Sequence, residues 1–279
     1  MSSNSPLAEV YRRALTASSV PLLIESIRRS NNDRDRPLPQ AAVWSIAPRF
    51  MWNSRRVEAA STYNEHLAIA SHIIGVPVQA DGCVIECGCY RGGSTVNLSR
   101  AAALAGRELH VFDSFEGLPT PPAGGGENVL HHERATNTYE RGMYAASLEE
   151  VQENVRRCGD PSVCHFHRGW FEDTLPDFSA PCVTAFVDVD LRASLETCVR
   201  AIWPMLVDGG ALFVHEARHH EIASLFFDDD WWEQNVGAQA PGLIGAGSGL
   251  GLDPLVGGWG SQLGYARKSK MTDYRSVRG

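Results

Sequence analysis

Cys83-Val-Ile-Glu-Cys-Gly-Cys-Tyr-Arg-Gly-Gly-Ser94 is the stretch from which the rest of the chain can be read. A short apolar run, Cys83 to Cys87, carries one carboxylate and ends in a turn with three glycines, Gly88, Gly92 and Gly93. A helix-compatible segment follows from Ser94 to Leu104. Strand, glycine turn and helix in that order make the opening unit of a parallel α/β sheet.

The same alternation extends outward. Upstream, Thr62 and Glu65 have capping-box spacing, and Leu67, Ala70, Ile73 and Ile74 share one face of a helix that ends near Gly75. Downstream, Leu109 to Asp113 reads as the next strand, with Asp113 at its carboxyl end. Ser147-Leu-Glu-Glu150 opens a helix to about Cys158. Val163 to Arg168, Val183 to Asp188 and Ala211 to His215 read as strands, Ser194 to Leu206 as the helix between the last two, and Gln262 to Arg267 as a candidate final strand. This order predicts a doubly wound, mostly parallel α/β sheet.

Residues 1–60 read as a polar, helical or irregular appendage, with Ser30 to Pro39 as a loop. The aromatic run Trp44 to Trp52 either closes over a pocket or docks on the main domain, residues 61–279. Pro119, Pro121, Pro122 and Gly124 to Gly126 leave little regular structure in 114–146, which reads as a mobile lid loop. The segment Gly242 to Gly260 is glycine-rich.

Bulk properties narrow the partners. The chain has 279 residues, 43% hydrophobic, with net charge −8 and an isoelectric point near 5.7. That field repels phosphate backbones and anionic lipid, so neither nucleic acid nor membrane is expected as a partner. The start, Met1 to Val10, lacks a basic stretch followed by an apolar core, and no window reaches the ~18 apolar residues of a spanning helix. A cytoplasmic protein is expected. The seven cysteines are odd in number and scattered, so reduced, core-filling thiols are expected; Cys83, Cys87 and Cys89 lack paired C-x-x-C spacing for zinc.

In an open α/β sheet, ligands bind beyond the carboxyl ends of the strands, where Glu86, Asp113, Asp188, His215 and Glu216 should converge. The glycines let the backbone approach a ligand, and the helix starting near Ser94 offers unpaired N–H groups to an anion. A methionine carboxylate suits that position, Glu86 suits an ammonium, and Asp113 suits two ribose hydroxyls. The spacing Gly88-x-x-x-Gly92-Gly93 is not the dinucleotide fingerprint, which favours S-adenosylmethionine over NAD, and a dehydrogenase ranks behind.

Five runs in order resemble the macrocin O-methyltransferase family: Val84 to Ser94, His110 to Pro119, Gly169-Trp-Phe-Glu-Asp-Thr-Leu-Pro176, Phe186 to Leu191 and Trp203 to Gly210. The resemblance covers about residues 80–215. It implies a Rossmann-like class I methyltransferase with a seven-stranded sheet, working as a homodimer on a hydroxyl of a small natural product such as a sugar or polyketide. Cofactor contacts are then expected at Glu86, Gly88, Arg91, Gly92, Gly93, Ser94, Asp113 and Ser114, with Gly169, Trp170 and Phe171 beside the adenine.

The resembled family holds magnesium on a carboxylate after the fourth strand and two aspartates after the fifth. Asp188 matches the first. His215-Glu216 stands where the aspartate pair belongs, and Arg192 where tyrosine is usual. A set of imidazole and two carboxylates suits manganese, iron or zinc better than magnesium. Asp188 and His215 are the candidate catalytic residues, and Asp188, His215 and Glu216 the candidate metal ligands. Without an ion, His215 would take the acceptor proton itself, held by Asp188 or Glu216; the bland alternative is that His215 and Glu216 cap the following helix. These departures also leave open a cofactor-binding protein with an altered, metal-free or inactive centre. Asp190 is expected to support the site or cap a helix, His219 and His220 to be solvated or to form a pocket wall, and Asp228 to Asp230 to form a solvated cap.

Overall fold

The computed structural model describes residues 20–32, 37–77, 80–129, 135–245 and 261–269. Met1 to Val10, residues 33–36 of the expected Ser30–Pro39 loop, and residues 246–260 of the glycine-rich segment lie outside them.

Two helices open the described chain, α1 (Val20–Asn32) and α2 (Gln40–Asn53), followed by α3 (Tyr63–Gly75). Strand β1 (Cys83–Cys87) leads into α4 (Gly93–Ala105) and β2 (Leu109–Asp113). Next come β3 (Glu127–Val129), β4 (Ala135–Thr138), α5 (Leu148–Cys158), β5 (Cys164–Arg168) and the short α6 (Phe171–Thr174). The last third holds β6 (Cys182–Val187), α7 (Arg192–Met205), β7 (Leu206–Val214), α8 (His220–Leu225), α9 (Asp229–Asn235) and β8 (Gly264–Arg267).

The main sheet has the order β5-β2-β1-β6-β7-β8, parallel except for β7 with β8. β1 and β6 are buried along their whole length, which is why they read as unbroken apolar runs. Their alternate side chains feed two cores. Val84 and Phe186 join the core under α1–α4, while Ile85, Ala185 and Val187 join Leu195, Ile202, Trp203 and Trp232 on the other face.

The main sheet has six strands among the described residues, against seven expected. Beyond β8, where another strand would extend the sheet, Ile244 alone of the described residues pairs, through a single antiparallel bridge to Tyr265. Two further readings are corrected. The described residues of the N-terminal region are mostly helical, one of the two expected alternatives, but Ser30–Asn32 belongs to α1 rather than to a loop; Leu23, Ile27, Val43, Ile46 and Phe50 recur at helical spacing and enter the same core as α3. In the aromatic run, Ile46 and Phe50 dock while Trp44 and Trp52 stay exposed. The loop 114–146 contains the antiparallel pair β3–β4. All seven cysteines are free thiols, every one buried except the half-buried Cys164.

Candidate active site

The glycine turn after β1 is demanded by contact. Gly88 has φ +81°, and a Cβ there would lie 1.9 Å from the Asp188 carbonyl oxygen, so the turn presses directly on the end of β6. A Cβ on Gly93 would lie 2.5 Å from both the Ala59 Cβ and the Glu58 carbonyl oxygen, so the start of α4 packs on the segment leading into α3. No side chain caps the amino end of α4. Its first N–H groups and the positive end of its dipole are available to an anion.

Asp113, at the end of β2, ties the turn in place. Its Oδ2 accepts from the Cys89 amide (2.8 Å) and its Oδ1 from the Phe115 amide (2.7 Å), while burial raises its pKa above the ordinary range. Glu86 is fully buried and neither carboxyl oxygen has a hydrogen-bond partner. Burial raises its pKa to about 8; the Ser94 and Thr95 hydroxyls lie close enough to oppose that rise in part, though neither is in hydrogen-bond geometry with the carboxyl. A carboxyl left without a donor there carries a desolvation cost that a cationic group would offset.

A cavity opens at this carboxyl edge. Of the predicted cofactor contacts, Gly88, Ser94, Asp113, Ser114, Gly169, Trp170 and Phe171 line it, as does Asp188. Gly92 and Gly93 shape the helix start and Glu86 lies behind the lining. Arg91 is held elsewhere, in exposed ion pairs with Glu58 (2.9 Å) and Glu150 (3.5 Å). The wall also includes Ala59, Ala60 and Ser61, Tyr90, Leu118, Pro119 and Tyr144 of the 114–146 loop, and Asp190. Ser61, Tyr90 and Tyr144 are not among the expected site residues, and nothing in their local sequence marks them as lining. Tyr90 packs edge-on against Tyr144 at 5.5 Å.

Among the described residues, those with left-handed backbone that are not glycine are Tyr90, Phe115, Tyr144, Asp190 and Glu216, with φ from 48° to 59°. Each such conformation costs on the order of 1–3 kcal/mol. Tyr90, Tyr144 and Asp190 line the cavity, Phe115 follows Ser114, and Glu216 belongs to the cluster next to it. This local strain is concentrated where a ligand would sit, which no residue pattern announces in advance.

The second centre joins the ends of β6 and β7 with one helix, α3. His215 Nδ1 contacts the Glu216 carboxylate and lies 3.2 Å from Asp188 Oδ1; its Nε2 lies 3.6 Å from Glu65 Oε2. Glu65 doubles as the capping-box acid of α3, and its other oxygen accepts from the Ser261 hydroxyl (2.8 Å) and the Gln262 amide (2.7 Å). Its capping spacing with Thr62 is the part of this role visible in the sequence. The three carboxylates hold the His215 pKa well above its ordinary value against the opposing effect of burial. Burial first, and then neighbouring negative charge, raise Glu216 to about 7 and push Asp190 well above the usual carboxylate range.

One donor atom each from Asp188, His215 and Glu216 falls within 4.8 Å of the other two. Three convergent ligands amid four carboxyl groups, two of them reluctant to ionise, fit a divalent cation. Among the described residues this is the sole such group of His, Cys, Asp and Glu.

His215 and Glu216 cap no helix, because α8 starts after His219. His219 is buried, with a pKa lowered to about 4 by desolvation, and His220 is exposed; neither lines the cavity. Arg192 braces α7 against α8, donating to the Ser224 hydroxyl (2.8 Å) and the Glu221 carbonyl (3.1 Å). Asp228 caps α9 by accepting from the Trp231 amide.

The model of the macrocin O-methyltransferase family matches residues 62–239. No curated protein matches the chain. Among solved structures, the O-methyltransferase NovP is similar at 20% identity, TM-score 0.53, with 91% of this chain and 100% of that one covered. CalS11, a calicheamicin methyltransferase, is similar at 17% identity, TM-score 0.53, with 95% and 93% covered.

Proposed function

The chain belongs to the macrocin O-methyltransferase family, whose members use S-adenosylmethionine, and on that premise we propose that it methylates a hydroxyl of a natural-product sugar or a related small metabolite. The orphaned Glu86 carboxyl beside the uncapped start of α4 carries the reading of the donor site. The donor's ammonium would meet Glu86, its carboxylate the first amides of α4, its ribose Asp113, and its adenine Gly169, Trp170 and Phe171.

Transfer to oxygen needs the acceptor in line with the sulfonium methyl and its hydroxyl proton removed or its charge stabilised. Asp188 and Asp190 face the cavity, and either carboxylate in its ionised form could accept that proton. Both ring nitrogens of His215 are directed at carboxylates, so in this reading it orients Asp188 and leaves the proton to the aspartates. A divalent cation held by Asp188, His215 and Glu216 would lower the hydroxyl's pKa and orient it. Tyr90, Tyr144 and the 114–146 loop would exclude water from the reactive sulfonium. The dimer implied by family resemblance and a cytoplasmic setting belong to the same proposal; none of the described helices is long and apolar enough to cross a membrane.

Calorimetry with S-adenosylmethionine tests the foundation, and folded protein that binds none of it removes the reading. The enclosure of His215 by carboxylates favours one second reading, a protein that binds the donor but transfers nothing. It predicts donor binding with no methyl transfer to any sugar hydroxyl offered.

A further inference from the structure

A chain of four buried side chains runs from the carboxyl end of α5 to the cavity wall. Asn53 Nδ2 lies 3.3 Å from the Cys158 carbonyl oxygen and 2.8 Å from Asn97 Oδ1. Asn97 Nδ2 lies 2.9 Å from His66 Nδ1, and His66 Nε2 lies 2.9 Å from the Ser61 hydroxyl. Ser61 lines the cavity.

The polarity of this chain follows from its first member. A backbone carbonyl can only accept, so the Asn53 atom facing Cys158 must be the amide nitrogen. That nitrogen also faces Asn97, so Asn97 presents its oxygen to Asn53 and its nitrogen to His66. His66 Nδ1 therefore accepts, and the ring's single proton sits on Nε2. Burial lowers the His66 pKa to about 4, so the ring stays neutral at ordinary pH and holds one proton. His66 donates to the Ser61 oxygen, and the hydroxyl hydrogen of Ser61 is left free for something else.

We propose that Ser61 is a hydrogen-bond donor to the carboxylate of the bound cofactor, and that Asn53, Asn97 and His66 are positioning residues that fix the direction of its proton. This rests on the donor-site reading above. Two contacts make the carboxylate the partner: Gly93 packs against Glu58 and Ala59, and Ser61 and Ser94 share the cavity wall, so the hydroxyl and the open end of α4 address the same ligand end. The relay also makes α2, through Asn53, part of the cofactor site. A neutral donor prevented from turning back to His66 loses no hydrogen bond of its own when the anion arrives.

The test compares two ligands on the full-length protein. S-adenosylhomocysteine keeps the amino-acid tail, whereas 5′-methylthioadenosine lacks it. Ser61→Ala is expected to raise the Kd for S-adenosylhomocysteine by about 10–100-fold, the range for a hydrogen bond to a charged group, and that for methylthioadenosine by less than about twofold. Ser61→Thr, which restores the hydroxyl, should recover most of the loss and show that the fold is intact. Nitrogen-15 spectra of the protein should show His66 neutral with its proton on Nε2. Equal losses for both ligands, no loss for either, or a proton on Nδ1 overturns the inference while leaving the donor site standing. A wild-type protein that binds neither ligand overturns the donor site, and this inference with it.

Discussion

Replacing Glu86 with glutamine removes one ionisable group and keeps its shape, so it separates what that carboxyl costs the fold from what it contributes to binding. Its pKa is about 8 in the folded protein against 4.5 for a free glutamate. The folded state therefore retains a proton that the unfolded chain gives up, and stability is lost as pH rises from 4.5 through 8. At pH 7 the gap is 2.5 pH units at ~1.36 kcal/mol each, a cost of about 3 kcal/mol. Glu86→Gln should raise the melting temperature of the ligand-free protein by roughly 5–10 °C at pH 7 and by little at pH 5.

Binding runs the other way. The donor's ammonium stabilises the ionised carboxyl, so near pH 7 binding should release about one proton, and affinity should climb by up to about tenfold per pH unit from 6 to 8. Glu86→Gln should flatten that slope and weaken binding by about 10–100-fold. Calorimetry in buffers of different ionisation enthalpy reads the proton directly. Wild-type binding without proton release, or the same release in Glu86→Gln, refutes the reasoning.

Gly88→Ala places a methyl group against the Asp188 carbonyl and a side chain at φ +81°, so a loss of more than ~2 kcal/mol is expected, read as a depressed melting temperature together with lost donor binding. Trp232→Ala empties a fully buried site whose indole packs on Trp203 at 4.8 Å and donates to the Leu225 carbonyl. It should cost about 3–5 kcal/mol in denaturant titration yet leave the donor Kd of the folded protein unchanged. Manganese or magnesium titrated into the protein should bind in a way that Asp188→Ala abolishes; methyl transfer indifferent to both chelator and Asp188→Ala would contradict a catalytic ion.

The parts of the fold that were legible in the sequence are those governed by local rules. Thr62 and Glu65 announced the cap of α3, and the apolar runs at Cys83 and Val183 announced the two central strands because both faces of each are buried. Aspartates at the ends of β2 and β6 could be assigned to one sheet edge from topology alone. What stayed hidden depends on tertiary contact. Glu65 has an ordinary capping spacing, and nothing local shows that it also meets His215, Ser261 and Gln262. Tyr144 and Tyr90 take backbone conformations that tyrosine seldom adopts, and Arg91 in the middle of the glycine turn swings out to Glu58. The helicity of α1 and α2 was masked by polar and proline-bearing neighbours, although Leu23 and Ile27, or Ile46 and Phe50, carry helical spacing.

The central claim is that the cavity above Gly88 holds the methyl donor. A crystal structure with S-adenosylhomocysteine should show the ribose on Asp113, the amino group within hydrogen-bonding distance of Glu86 and the adenine against Trp170. Density for the ligand elsewhere, or a cavity closed by its own side chains in a protein saturated with ligand, would contradict it.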